Sequence, residues 1–509
     1  AGRQPDQHGK NAHRGAQGGC RGARRSSWAS GTARASVRVG RGRSDDDDAG
    51  VPSADAHAVH PVRCRVESGW RRAGGAPDGA SAGRRRDACG SLAHHAHRQD
   101  LPENDVRTDL RLGALALLCL LPLWLYAARE PHTLDGDACG GYPRLAIGTL
   151  RGMCAGLVIG PTAQAPERVL RLPRTLLQLD ASTWLVTDLG AWEGARGAVW
   201  RLRTGADGRV TTERVLDGLH LPHAIARGPD GAVYVGEMSR IVRFDPDAPV
   251  PGDTVKPVVT GLPDNRLHAH RHPLSMFVFL PGGDLLVNVG APSDQCSGAD
   301  ARTPEGLCAE SEGDGDAASL RRYAYEGAGR WSATYSVYAR GLRNSLALAV
   351  HASGTVLQAE NSYDFDRRWS PFEELNVIEA GRHYGWPYCF DISGAAPAWA
   401  DKAAWCRSGA HTAPALLLPP HAAPLDMLWY DGAMFPALQG RLLMSWHGHR
   451  SVGGRIASFA VDERGVPEPD VQPRFPVYGA GMRPYGAGPA ATPVVLTPGW
   501  GLSRGVRPQ

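Results

Sequence analysis

The sequence predicts an all-β protein, a six-bladed β-propeller preceded by a disordered tail and a signal or anchor segment, and three observations predict it. From about Gly140 onward, short apolar strands alternate with Gly, Pro and Asp turns, and no long amphipathic helix interrupts them. Three segments repeat one unit: LPHAIARGPDGAVYVGE from Leu221, HPLSMFVFLPGGDLLVNVG from His272 and RNSLALAVHASGTVLQAEN from Arg343. Each is a strand, a turn ending in Gly231, Gly283 or Gly354, and a second strand; weaker copies begin at Leu176 and Met482. Repeated antiparallel hairpins build propeller blades, whose inner strands line a channel with functional groups at one end. Residues 140–509 would hold six blades of about sixty residues each. A β-sandwich is the competing architecture, and repeats that stay in phase disfavour it.

Before the repeats, the chain reads differently. The 509 residues carry 56 Lys and Arg against 52 Asp and Glu, a formal charge of +4. Residues 1–106 hold 18 basic and 12 acidic side chains, and the remainder 38 and 40. The foldable part therefore has no positive excess with which to neutralise phosphates, which excludes a nucleic-acid-binding body. Residues 1–106 surround an acidic run at Asp45–Asp48 with Arg, Gly, Ala and Ser, and show no helical or strand periodicity. They read as a disordered basic tail, or as reading frame upstream of the true start. Arg107 and Arg111 then precede the uncharged stretch Leu112–Ala128. Its 17 residues are long for a signal-peptide core and short for a spanning helix, so 107–128 reads as a signal peptide or a membrane anchor. Export to the periplasm or another extracytoplasmic compartment is expected, with 129–509 as the propeller domain.

The cysteines agree with export. Six of the ten fall as close pairs, Cys139/Cys154, Cys296/Cys308 and Cys389/Cys406, which predicts three disulfides in an oxidising compartment. Zinc is the alternative, and no CxxC spacing supports it.

Polar residues stand in register within the repeats. His272 and Arg343 each precede their turn glycine, Gly283 and Gly354, by 11 residues, which places both at the start of an inner strand on one rim of the channel. His223 and Arg483 each stand six residues before Pro229 and Pro489, a little further down those strands. Two histidines and two arginines are thus expected to converge on one channel mouth.

GLRNSLALAVHASGTVLQAEN (Gly341–Asn361) followed by SPFEELNVIEAGRHYGWPYCFD (Ser370–Asp391) resembles the glucose/sorbosone dehydrogenase family of pyrroloquinoline quinone (PQQ) enzymes. HPLSMFVFLPGGDLLVNVG and FPALQGRLLMSWHGHRSVGGRI (Phe435–Ile456) fit two further strands of that pattern, so the resemblance spans about Leu176 to Pro489. It implies a six-bladed propeller that binds PQQ and calcium at the channel mouth and oxidises a sugar. It further implies that His272 is the general base, that Arg343 and Asn344 hold the quinone, and that Arg483 faces the cofactor's carboxylates. The carbonyls of Ser362 and Tyr363 correspond to a cofactor-bridging calcium site, and Glu374 with the carbonyl of Tyr384 to a structural one. His223 joins the cofactor rim by phase.

The chemistry agrees with these roles. A planar quinone bearing carboxylates needs fixed, fork-shaped cations, calcium takes oxygen ligands, and histidine titrates near neutrality without special tuning. The sequence also departs from the pattern. Ser362-Tyr363 stands where Gly followed by Pro or Arg is common, and Met276 where an Arg usually follows the base. A cofactor lysine found in some members has no counterpart, so Arg450 or His447 would serve in that blade. Two other functions therefore stand beside the dehydrogenase: a cofactor-free propeller that binds carbohydrate or protein, and a calcium-dependent lactonase-type hydrolase, which needs channel carboxylates that the repeats do not display. The expected partners are a sugar and an electron acceptor of unknown identity, with no nucleic acid and with a possible membrane anchor through 112–128.

Overall fold

A computed structural model describes residues 134–160, 169–263, 271–313, 315–448, 452–477 and 481–498. The tail 1–106 and the segment 107–128 lie outside the described residues.

Each strong sequence repeat folds into the first hairpin of a four-stranded antiparallel sheet. Pro173–Asp180, Thr183–Asp188, Gly197–Thr204 and Val210–Leu219 form the first blade. The second is Ile225–Arg227, Val233–Gly236, Ile241–Phe244 and Lys256–Val259. The third begins with Phe277–Phe279, Leu285–Val289, Ser319–Tyr323 and Ser336–Arg340, and gains the short parallel strand Arg382–His383 from the chain of the next blade. The fourth is Ala347–Val350, Val356–Glu360, Glu373–Ile378 and Leu416–Leu418. The fifth is Pro424–Trp429, Leu442–Trp446, Arg455–Phe459 and Val494–Val495. First strands contact one another between the first and second, the third and fourth, and the fourth and fifth blades, which makes them the channel-lining strands.

Face-to-face blade packing explains the composition of the second strands. A sheet covered on both faces has no solvent side, so both sets of alternating side chains must be apolar. Val233 and Val235 pack toward the first blade, against Leu185 and Val199, while Tyr234 between them packs toward the third, against Phe277 and Leu286. Likewise Val356 joins the core shared with the third blade, and its neighbour Leu357 the core shared with the fifth, beside Met444 and Trp446. Leu285–Val289 and Val356–Glu360 are buried at every position.

A fourth core does not lie between blades. The chain inserts 290–318 within the third blade and 379–415 within the fourth, and these inserts meet around Trp386, Tyr388, Trp399 and two disulfides, Cys296–Cys308 and Cys389–Cys406. Cys139–Cys154 closes the third disulfide, so all three sequence pairs form.

The propeller reading holds, but the blade count is corrected: the described residues form five blades, not six. The weak copy at Leu176 is a blade hairpin, whereas that at Met482 is not. Gly481–Pro484 pairs only with Arg474–Val477 as a separate two-stranded hairpin, and its four residues are exposed. Pro484, Pro489 and Pro493 each lack an N–H for a ladder, which disfavours continued sheet here. Among the described residues no helix is long and apolar enough to cross a membrane.

Candidate active site at the channel mouth

His223, His272 and Arg343 each stand just ahead of the channel-lining strand of their blade, Ile225–Arg227, Phe277–Phe279 and Ala347–Val350 respectively. The repeat phase therefore brings His272 and Arg343 together. The link is the end of the third blade's second strand. His272 Nδ1 lies 2.6 Å from the carbonyl oxygen of Ala291, and the Ala291 N–H donates to the Arg343 carbonyl at 2.8 Å. Between that strand and Ala291 stands Gly290, where a Cβ would come within 2.7 Å of the His272 Cβ and 3.0 Å of its carbonyl. A side chain there would push the histidine away.

Arg343 is buried and its guanidinium is held on three sides. Nη2 donates to Asp294 Oδ1 at 2.7 Å and to Asp364 Oδ2 at 3.2 Å, Nη1 to the Asn361 carbonyl at 2.8 Å, and Nε to the Asp294 carbonyl at 3.3 Å. Arg271 reaches the same Asp364 oxygen at 2.8 Å. Burial pushes the Asp294 carboxyl up, but Arg343 and the amide of Asp364 outweigh it and hold the group below the usual carboxylate range. The neighbouring Asn344 is buried. Its N–H donates to Glu360 Oε1 at 2.8 Å, and its side-chain Oδ1 has no partner among the described residues.

Three buried carboxyls, Glu360, Glu373 and Glu374, and the half-buried Asp391 follow in the same blade. Burial pushes Glu360 up to about 7, Glu373 to about 8 and Asp391 to about 6. Burial, then the charges of Glu360, Asp391 and Glu373, raise Glu374 well above the carboxylate range. Glu360 and Glu374 are cross-strand partners, and Glu373 accepts the N–H groups of Ser362 and Ala423. The sequence reading found no such carboxylate set, because three of the four occupy the ends of second and third strands rather than the repeat position that was compared.

Ser362 and Tyr363 follow Glu360 in the loop that carries Asp364. Tyr363 is buried, its ring stacks on Phe365 at 5.0 Å and its hydroxyl donates to the Cys389 carbonyl at 3.0 Å. Among the described residues neither the Ser362 nor the Tyr363 carbonyl accepts a hydrogen bond. A cavity of about 380 Å³ adjoins this loop, lined by Gln295, Asp364, Phe365, Asp366, Arg367 and Pro397. Another, of about 310 Å³ on the first blade between Arg171, Arg196 and Trp200, contains none of the predicted residues.

The remaining predicted residues disperse. His223 is buried with Nδ1 unpartnered among the described residues, and burial, then the Arg174 charge, lowers it to about 3, so it is neutral near pH 7. Arg483 lies on the exposed hairpin, with its guanidinium carbon 4.2 Å over the Trp369 ring. Tyr384 packs in the core with its hydroxyl bound between the Val377 carbonyl and the Glu379 N–H, at the opposite end of the strand from Glu374. Met276 is core and not rim. Arg450 lies outside the described residues. Sequence reasoning missed Asp294, which sits in an insert outside the repeat, and Arg174. The latter had a signal: it stands eight residues before its turn at Ser182, as His223 does before Gly231.

Residues 255–453 match the family model described as Glucose / Sorbosone dehydrogenase. That segment, under half of the chain, is similar to the glucose/sorbosone dehydrogenase family. It contains His272, Arg343, Asn344, the loop 361–372 and the four carboxyls. No curated protein matches the chain. Among solved structures, the PQQ domain of pyranose dehydrogenase from Coprinopsis cinerea in its holo form is 18% identical, covering 70% of this chain and 88% of that one, with a TM-score of 0.49. The PQQ-bound aldose sugar dehydrogenase of Streptomyces coelicolor is 19% identical over 67% and 86%, with a TM-score of 0.40. A gluconolactonase from Xanthomonas campestris is 14% identical over 66% and 83%, at 0.32. None of the three is similar enough for activity to follow from it. The likeness to glucose/sorbosone dehydrogenases rests on the matched segment and on the motifs within it.

Proposed function

We propose that the protein is an exported, PQQ- and calcium-dependent sugar dehydrogenase whose general base is His272. One observation carries the proposal: the phase of the repeats places His272 and Arg343 on a shared backbone link, beside a buried Asn344 amide with an unpartnered oxygen.

The residues present fit the two groups the family implies. The Asn344 amide oxygen and the Ser362 and Tyr363 carbonyls offer oxygen and amide contacts in a buried setting, and hard oxygen donors with carboxylates nearby suit calcium. Arg343 and Asn344 would hold the quinone, and the two carbonyls the ion. When bound, PQQ supplies the hydride acceptor and calcium a polarising charge.

The protein's own part is proton transfer and orientation. The Ala291 carbonyl accepts from the Nδ1–H of His272, which puts the ring's basic lone pair on Nε2 and fixes the plane of the ring. Nε2 takes the proton of the sugar hydroxyl as the hydride departs from the same carbon. Arg343, pinned by Asp294 and Asp364, presents a guanidinium of fixed orientation where negative charge grows. Three disulfides are the kind of bond that persists in oxidising compartments, which supports export.

A calcium-dependent lactonase-type hydrolase is the second reading, favoured by the carboxyls Glu360, Glu373 and Glu374. Against it, no three His, Cys, Asp or Glu side chains among the described residues converge on one metal position. The two readings separate by thermal shift and by substrate. The dehydrogenase gains melting temperature from PQQ only when calcium is present and turns over aldoses. The hydrolase responds to calcium alone and opens lactones. In the His272→Gln variant, PQQ should still raise the melting temperature while turnover is lost; loss of binding instead would move the base assignment elsewhere.

A further inference from the structure

We propose that Asp294 is the positioning residue of this site: its carboxylate sets the Arg343 guanidinium, and the disulfide-stapled lobe sets Asp294. The activity arm of this inference rests on the dehydrogenase reading; the structural arm does not.

Every polar atom of Asp294 beyond its amide is engaged. Oδ1 accepts from Arg343 Nη2 at 2.7 Å and from the Asp364 N–H at 3.1 Å, and Oδ2 from Gln295 Nε2 at 3.0 Å. The carbonyl accepts from Arg343 Nε at 3.3 Å and from Trp386 Nε1 at 3.0 Å. The next carbonyl, of Gln295, accepts from Trp399 Nε1 at 3.0 Å. Two indole N–H groups thus register consecutive carbonyls just ahead of Cys296. Both indoles are buried in the lobe: Trp386 precedes Cys389, and Trp399 lies inside the loop that Cys389–Cys406 closes. The same lobe also holds the segment that carries Asp364, because the Tyr363 hydroxyl donates to the Cys389 carbonyl and Tyr363 precedes Asp364.

The other acid on Arg343 is built differently. Asp364 has a side chain 47% exposed, lies at 3.2 Å and is shared with Arg271, whereas Asp294 is 15% exposed and closer. A charge-assisted bond is strongest where solvent is excluded and the partner cannot move. Arg343, itself 4% exposed, depends on Asp294 for its direction and would lose it if that carboxylate were removed.

The test uses the full-length chain and four variants, Asp294→Ala, Asp294→Asn, Asp364→Asn and the surface control Asp401→Asn. The cofactor-independent readout is the rate at which phenylglyoxal modifies Arg343, followed by peptide mass spectrometry. Asp294→Ala should raise that rate about tenfold or more, the fold-change matching loss of one charged hydrogen bond. Asp294→Asn, which keeps an acceptor, should lie between it and the wild type, and Asp364→Asn should move it less than Asp294→Ala. Asp401→Asn should not move it. In the same variants the half-saturating PQQ concentration should rise in the same order. An unchanged Arg343 rate in folded Asp294→Ala overturns the inference; if that variant does not fold, an unchanged rate in Asp294→Asn does so. Wild-type protein that binds no PQQ sinks the dehydrogenase reading, and the phenylglyoxal rates still decide the role of Asp294.

Discussion

His272 owes its position to an absent side chain. Gly290 lets the histidine backbone pass within van der Waals contact of the strand that supplies its hydrogen-bond acceptor, and alanine there would meet the His272 Cβ at 2.7 Å. Gly290→Ala should therefore lower turnover on the order of a hundredfold, the cost of an ångström-scale displacement of a catalytic group, while circular dichroism stays that of the wild type. Unaltered turnover would show that His272 is not the base. His272 and Arg343 were legible in the sequence because each precedes a channel strand, and the repeat carries that strand's phase. Asp294 was not: it lies in an insert to which the repeat gives no register. Arg483 was misplaced for a related reason, since six residues of spacing to a proline do not distinguish a blade strand from a free hairpin.

The elements most readable in the sequence were the second strands, whose unbroken apolar runs reflect burial on both faces. Apart from their paired cysteines the inserts were not readable, since their short hairpin, Cys389–Phe390 with Gly394–Ala395, and their loops carry no periodicity. They matter because Cys296–Cys308 and Cys389–Cys406 bind the lobe that backs Asp294 and Tyr363. Cys389–Cys406 closes a loop with a sequence separation of 17, so a Cys389→Ser/Cys406→Ser double variant should lose about 3 kcal/mol of stability. Urea unfolding checks this, and an unchanged midpoint would mean that the aromatic packing around Trp399 holds the lobe without the bond. The sixth blade failed because a count made by dividing length by blade size assumes that every residue belongs to a blade, whereas the chain after Phe459 spends a hairpin outside the sheets.

Over the whole molecule, opposed titrations shape the dependence of stability on pH. His223 is lowered to about 3, so the unfolded chain binds its proton more readily below about 6.5, and stability is lost as pH falls from there. Glu360 and Glu373 are raised to about 7 and about 8, so the folded chain holds their protons longer, and stability is lost as pH rises from about 4.5 through those values. Above about 6.5 only the carboxyl trend remains. The melting temperature should fall between pH 6.5 and 8, Glu373→Gln should flatten that fall, and added calcium should oppose it. A flat or rising wild-type profile would contradict the buried-carboxyl account. The central claim is sugar oxidation at the His272–Arg343 mouth, and the initial rate of dye reduction by full-length protein with PQQ, calcium and a panel of aldoses tests it most directly. The account predicts a rate that requires all three additions and vanishes in His272→Gln; no PQQ-dependent rate with any sugar or aldehyde would contradict it.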